Sequence, residues 1–464
     1  MEAPQTLRQA AKLWQRRSIR IDPELGQPHN DLGIDEAIPW LHGALYVPAG
    51  LLQKANEAPL AGVLTHDLAH DDPGHVAKAP GAGLNTDLVI VDQIIGVVDS
   101  AADSGRPLKF RVNSAFQREL RRRVDEYFRS TGRRQRDCWQ MYLKTAVILA
   151  GLVVSYLLLV FAAHAWWQGV PLAILLGFAA AGIGFNVQHD GGHHAYSDSP
   201  WVNKLMAMML DLMGGSSYFW RWKHGVFHHT YVNVTGHDAD INLGLLARVT
   251  PYQTRLAFHR WQHLYVWPFY GLLAVKWQFV DDLRRLMTGR IGSHRVRRPT
   301  GWDLVVLVAG KATFFVWAFG VPVLFHSVQA VLGYYAIAAV VLGATLSVVF
   351  QVAHCVEQAA FPLPFAGTGR IDQAWAIHQA ETTVDFARPS RLVAWLLGGL
   401  NFQIEHHLFP RISHVNYPAI SKVVEQTCRD FGVPYTEHRS FWEGLTSHFR
   451  WLRRMGMPNT MTES

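Results

Sequence analysis

Apolar residues crowd into four long runs, at residues 146–165, 171–187, 304–325 and 328–352. A helix that crosses the hydrocarbon core of a bilayer needs about 20 such residues. Three of the runs meet that length, and the second comes near it. They fall into two pairs, joined near Trp166-Trp167-Gln168-Gly169 and near His326-Ser327. The pattern predicts two membrane hairpins, four transmembrane helices in all. A further apolar stretch, residues 264–275 with Trp267, Pro268 and Tyr270, is too short to span and is expected to lie in the interface. Residues 106–143 follow another rhythm. There Phe110, Val112, Phe116, Leu120, Val124 and Phe128 recur at helical spacing among Arg118, Arg121, Arg122 and Arg123. This predicts a basic amphipathic helix, lying on the membrane face or packed on the rest of the domain.

Charge orients the spans. Both short links lack Lys and Arg, whereas residues 121–144, 204–298 and 370–454 are rich in them. The positive-inside rule then places both termini and the long middle loop in the cytoplasm. Lys311, inside the third run, either snorkels to the cytosolic interface or faces a buried cavity.

Outside the runs the chain divides unevenly. Residues 1–105 read as an extension of unknown role, partly disordered, with Gly, Pro and Asp interrupting short apolar stretches at 88–91 and 94–98 that read as strands. His66, His70 and His75 are spaced like ligands, but Asp67, Asp71, Asp72 and Pro73 make that segment a solvated turn. The main domain is drawn from 106 to 450, with a tail from 451 to 464. No apolar core follows the first basic residues, so no signal peptide is expected.

Composition narrows the class. Aromatic residues make up 12% of the chain, with 17 Trp, which suits side chains anchored at a membrane–water interface. Mean hydropathy is only +0.05, so much of the chain must stand outside lipid. The net charge of +7 fits nucleic acid or the anionic cytoplasmic leaflet. With no basic DNA-binding motif in sight, the membrane is the partner expected. Cys138, Cys355 and Cys428 form no CxxC pair, so neither a disulfide framework nor a cysteine-held cluster is expected.

Histidine is the chemistry left to explain. His189 and His193 stand four apart at the end of the second run, and His224, His228 and His229 follow in the middle loop. Gln403, His406 and His407 answer from far downstream. Residues four apart on a helix share a face, so two rings can reach one ion, and His229 can turn toward a second. All three clusters fall on one side of the predicted membrane. Enough imidazoles are present for two ions, whereas a structural zinc site closes with four ligands. Imidazole alone does not choose the metal. A membrane setting calls for chemistry on lipid, which means activating oxygen against an unactivated C–H bond, and iron does that.

In these motifs the chain resembles the membrane fatty acid desaturases, over roughly residues 106–450. His189-Asp190-Gly191-Gly192-His193, His224-Gly225-Val226-Phe227-His228-His229 and Gln403-Ile404-Glu405-His406-His407 match the family's three histidine boxes. Gln403 at the head of the third box is a hallmark of the front-end branch. Arg221-Trp222-Lys223, Tyr231-Val232-Asn233, Gly236-His237-Asp238-Ala239-Asp240 and Asn401-Phe402-Gln403 are also similar to that branch. The resemblance implies an all-α integral membrane fold of four transmembrane helices, with a cytosolic helical cap holding a His-rich di-iron centre. It implies ligands His189, His193, His224, His228, His229, Gln403, His406 and His407. His354, in Gln351-Val352-Ala353-His354, matches a further ligand position, and His378 matches another recurrent histidine. His194, His237, His259 and His263 receive no ligand role. His414 is expected beside the ligands, and Asp190, Asp238, Asp240 and Glu405 are either polar surface or acceptors that orient imidazoles.

The activity implied is insertion of a cis double bond into a fatty acyl-CoA or acyl-lipid, with two iron ions and O2 as co-substrate. A lipid hydroxylase on the same scaffold is the rival reading. A metal transporter is the other, but transporters place their binding groups near mid-membrane. Each turnover draws two electrons from outside. The chain has no His-Pro-Gly-Gly haem motif, no GxGxxG loop and no cysteine set, so a ferredoxin or small cytochrome with its reductase is expected to supply them.

Overall fold

A computed structural model describes residues 108–458, except 112–114 and 365–368. The extension, its two short apolar stretches and His66, His70 and His75 lie outside the described residues.

The chain enters through a short strand, β1 (Lys109–Arg111), followed by α1 (Ala115–Thr131). Phe116, Leu120, Val124 and Phe128 are buried along one face of α1. Phe110 belongs to β1 and not to the helix as its spacing predicted, because β1 pairs with a strand far downstream. Two helices of spanning length follow, α2 (Trp139–Phe161) and α3 (Trp166–Gly192). The last turns of α3 widen into a π-helix, Gly184–Gln188, just before the first histidine box. After α4 (Pro200–Ala207) comes α5 (217–231), whose middle, Arg221–His228, is again π-helical. Such widened turns occur preferentially at functional sites.

The interfacial stretch forms α6 (Gln262–Tyr270), which continues as α7 (273–288). Leu264, Phe269, Leu272, Val280 and Leu283 are exposed along these helices, as a helix half-sunk in lipid requires. A hairpin, β2 (Arg290–Ile291) with β3 (His294–Arg295), leads to the second spanning pair, α8 (Gly301–Leu324) and α9 (Val328–His354). All four spanning helices expose long apolar side chains, and α8 is the most peripheral, with 17% of its apolar window buried. His326 Nε2 meets the carbonyls of Leu159 and Val160 at 3.0 and 2.9 Å, which ties the turns of the two hairpins together at one end.

At the other end the chain builds a cap. β4 (Arg370–Ala374) pairs in parallel with β1 and runs into α10 (Trp375–Thr382). Next come β5 (Asp385–Phe386), α11 (Arg391–Leu396), α12 (Gln403–Leu408) and α13 (Tyr417–Phe431). Finally β6 (Glu437–His438) pairs in parallel with β5, and α14 (Phe441–Gly456) closes the fold. The protein is therefore mostly helical rather than all-α. Of the three two-stranded pairings among the described residues, β1 with β4 and β5 with β6 satisfy backbone groups where segments distant in sequence meet. α14 continues past residue 450, and Trp451, Leu452 and Met455 are buried in the core with Val266 and Tyr270 of α6.

Two contacts fix the second spanning pair against the interfacial helices. A Cβ on Gly343 would lie 2.8 Å from the carbonyl carbon of Gly271 and 3.0 Å from Tyr270 O, so only glycine allows α6 and α9 to touch backbone to backbone. Lys311 does not snorkel to water. Its ammonium bonds the carbonyls of Gly214, Trp277 and Gln278 and the Asp282 carboxylate, fastening α8 to α7.

Candidate metal centre

Four helix ends converge under the cap. α3 brings His189 and His193, α5 brings His224, His228 and His229, α9 ends on His354, and α12 carries Gln403, His406 and His407. The rings sort into two groups. In the first, one nitrogen each from His189, His193, His224 and His406 lie within 4.8 Å of one another. His228, His354 and His407 form the second under the same limit. His229 lies between the groups, its ring 4.4 Å from that of His193 and 4.3 Å from that of His407. His224 and His228, four apart, thus fall in different groups, although their rings stack at 4.9 Å and both also lie within the same limit of Asp240.

The outer nitrogens are held. His228 Nδ1 pairs with Asp238 at 2.9 Å, His224 Nδ1 with Asp240 at 3.3 Å, His407 Nδ1 with Gln379 at 2.9 Å, and His406 Nδ1 with the Tyr417 hydroxyl at 3.3 Å. Lys223 in turn pairs with Asp240. Asp238 and Asp240 therefore orient rings of the two groups, whereas Asp190 orients His414, outside both, at 3.0 Å. Asp190 accepts from Ser413 and His414, so His414 touches the box through that carboxylate rather than through a ring. Glu405 accepts from Tyr435. Burial, and then the neighbouring Asp385 carboxylate, push Glu405 well above the usual carboxylate range. Gln379 and Tyr417 carried no sequence signal of their own, though Gln379 adjoins His378.

Most inner nitrogens have no partner among the described residues; the exceptions are His189 and His224, whose Nε2 atoms lie 3.2 Å apart. His193, His228, His406 and His407 each leave a buried Nε2 unbonded, His354 leaves Nδ1, and His229 leaves both. A buried polar atom without a partner costs roughly 1–3 kcal/mol. Seven such atoms converging from four helices are the donor set a metal would satisfy. Gln403 adds an unbonded Oε1, its amide nitrogen being held by the Leu400 carbonyl at 2.8 Å. Burial, and then the neighbouring imidazoles, hold His193, His229, His406 and His407 well below the ordinary imidazole range, so these rings are neutral with lone pairs available. Burial also depresses His228, but Asp238 and Asp240 outweigh it and raise that ring.

His378 stands in neither group. Consecutive helical residues point about 100° apart. On α10 it is Gln379 that faces His407, and His378 is buried edge-on against Phe110, with ring centres 5.1 Å apart. His194, His237, His259 and His263 also lie outside both groups.

The second glycine of the first box has a packing reason. A Cβ on Gly192 would lie 2.8 Å from Trp220 Cη2 and 3.0 Å from Cε3. The Trp220 ring packs against His189 and His193 at 5.7 and 5.1 Å. Gly192→Ala is expected to push Trp220 and these rings apart, at the ~1–3 kcal/mol typical of overpacking. A thermal transition and a metal analysis on the purified variant check this. Wild-type values for both would show that the indole has room to move.

Beneath the histidines opens a cavity of about 180 Å³. His189, His224, His354, His406 and Gln403 form one end, and Leu342, Leu346 and Val349 line the apolar reach between the spans. A second apolar cavity lies deeper and shares Ala180, Met213, Gln278 and Leu342 with the first. The Tyr335 hydroxyl donates to Gln278 Oε1 at 2.6 Å where the two meet.

A family model described as "Fatty acid desaturase" matches residues 165–439. The sn-1 linoleoyl-lipid 6-desaturase of Arthrospira platensis is 38% identical over 356 residues, covering 75% of this chain and 94% of that protein. The protein of the same name from a Synechocystis species is 35% identical, covering 75% of this chain and 98% of its own. The acyl-lipid (8-3)-desaturase of Physcomitrium patens is 38% identical over 349 residues, covering 74% and 72%.

Proposed function

The chain belongs to the fatty acid desaturase family, and from that premise we propose that it desaturates lipid-bound acyl chains at the front end, with two iron ions held by its two histidine groups. The observation that carries this reading is the convergence of unbonded, buried imidazole nitrogens on one end of an apolar cavity. His189, His193, His224 and His406 would hold one ion, and His228, His354 and His407 the other, with His229 between them and Gln403 beside the first. Bound there, the irons supply the O2 activation that removes hydrogens from two adjacent methylenes.

The chain's own residues do the rest. Asp238, Asp240, Gln379 and Tyr417 fix each ring through its outer nitrogen, so that the inner one points inward. The cavity wall of Leu342, Leu346 and Val349 holds an acyl chain and excludes water. Its position along that wall decides which C–C bond lies beside the histidines. The hydrogen bond between Tyr335 and Gln278 closes the far end.

The proposed orientation puts the histidine end, the cap and both termini in the cytoplasm. The two short links, tied by His326, lie on the opposite side. The hydroxylase reading has no observation in its favour. Against transport, His189 and His354 stand at the ends of their spans rather than at mid-membrane.

Lipid mass spectrometry after expression with a defined unsaturated lipid tests the proposal. The expected product has a new cis double bond between the existing one and the carboxyl end. New bonds solely on the methyl side would refute the front-end assignment, and a hydroxylated product would refute desaturation.

A further inference from the structure

Away from the histidines, a groove of about 690 Å³ opens where α2 meets α11 and the turn before α13. Its lining includes Arg133, Arg134 and Arg391, all exposed. None of the three makes an ion pair among the described residues. The acid in the lining, Asp137, is engaged by the Tyr142 and Ser197 hydroxyls, both at 2.6 Å, and by the Asp198 backbone at 3.0 Å. At the floor lies Lys144, 5% exposed, its ammonium 2.9 Å from His414 Nε2 and 5.2 Å from the centre of the Trp395 ring. Three exposed arginines and the buried Lys144 thus surround one groove, against the single carboxylate of Asp137 in its lining.

The rim is apolar. Trp139 is 68% exposed and Trp395 43%, and Leu392 and Leu396 of α11 are also exposed. Trp is the residue that settles at a membrane–water interface. Trp139 opens the spanning helix α2, and Lys144 lies five residues further in, about 7.5 Å along the axis. The groove therefore joins cations at headgroup level to apolar side chains that face lipid.

We propose that this groove binds the headgroup of an anionic phospholipid, its phosphodiester among Arg133, Arg134, Arg391 and Lys144 and its acyl chains along Trp139, Trp395 and Leu396. A soluble acidic protein would match the cations but would leave the exposed tryptophans and leucines against water. The floor of the groove reaches the first histidine box. His414 Nδ1 lies 3.0 Å from Asp190, which stands between His189 and His193 in the chain. A lipid seated there would brace the end of the helix that carries both rings. The proposal rests on α2 being a membrane span, and not on the reaction the protein catalyses.

Native mass spectrometry of the full chain in zwitterionic detergent provides the test, with phosphatidylglycerol and phosphatidylcholine of matched acyl chains as probes. The wild type is expected to retain one phosphatidylglycerol with at least fivefold preference over phosphatidylcholine. A basic residue near an anionic membrane surface is worth about fivefold in affinity. Arg133→Gln with Arg391→Gln should therefore weaken phosphatidylglycerol binding more than tenfold and leave phosphatidylcholine unchanged. Arg290→Gln with Arg297→Gln, on the hairpin before α8, should change neither. Because the paired substitutions are exposed and break no ion pair, an unaltered thermal transition accompanies the expected result. Equal retention of the two lipids, or phosphatidylglycerol binding that survives Arg133→Gln with Arg391→Gln, would overturn the proposal. So would full displacement by millimolar inorganic phosphate, which marks a free-anion site. Loss of acidic-carrier binding in that variant, with lipid preference intact, would assign the groove to a protein partner instead.

Discussion

His193→Ala and His228→Ala should each abolish turnover while leaving the fold in place. Each substitution removes one ring from a different group, His193 from that of His189, His224 and His406, and His228 from that of His354 and His407. Loss of a residue that only orients a metal ligand typically costs ~10–100-fold in metal affinity or activity. Asp238→Asn and Gln379→Ala set that scale here, and removal of a ligand ring should exceed it. Iron content should fall from about two atoms per chain, the number a two-metal site requires. Stability supplies the sharper contrast. His193 carries a buried, unbonded Nε2 that in metal-free protein costs roughly 1–3 kcal/mol. Removing the ring from metal-free protein should thus be neutral or stabilising, whereas a ring with a purely structural role would be missed on heating. Iron analysis, product analysis and thermal unfolding on the same preparations separate these outcomes. Full iron and turnover in His193→Ala, or stoichiometric zinc with full activity in the wild type, would end the two-iron proposal.

Reconstituted into liposomes with lipid substrate, O2 and NADPH, the protein should be inactive until both a carrier and its reductase are added. Desaturation takes two electrons from the acyl chain, and reduction of O2 to water needs two more. The sequence has no nucleotide loop to take them from NADPH, no cysteine set for an iron–sulfur cluster and no His-Pro-Gly-Gly motif for haem. A ferredoxin or small cytochrome with an acidic face is therefore proposed as donor, steered by a chain of net charge +7. Screening lengths are ~8 Å at physiological ionic strength and shorter above it. Turnover at limiting carrier should accordingly fall as salt is raised, while turnover at saturating carrier changes less. Activity with NADPH alone would defeat the proposal, and a salt-independent rate at limiting carrier would defeat the steering.

The sequence by itself determined the four long apolar helices and the histidine pairs of the candidate site, because both are written in local spacing. Length and hydropathy place four spanning helices where the fold has them, and i, i+4 or adjacent histidines need only a helix to share a face. It also marked His354, remote from the boxes, through its resemblance to a family position. Spacing does not say how helices dock, and there the tertiary structure decided. Widened π turns and the approach of α9 place His224 and His228 in different groups. The angle between neighbouring residues on α10 gives Gln379, and not His378, the contact with His407. Lys311, ambiguous in the sequence, finds three carbonyls and Asp282 that only the packing of α7 against α8 brings together. The parallel pairing of β1 with β4 took Phe110 out of a helix its periodicity had predicted, because a backbone bond to a strand more than two hundred residues away outweighs a local rhythm.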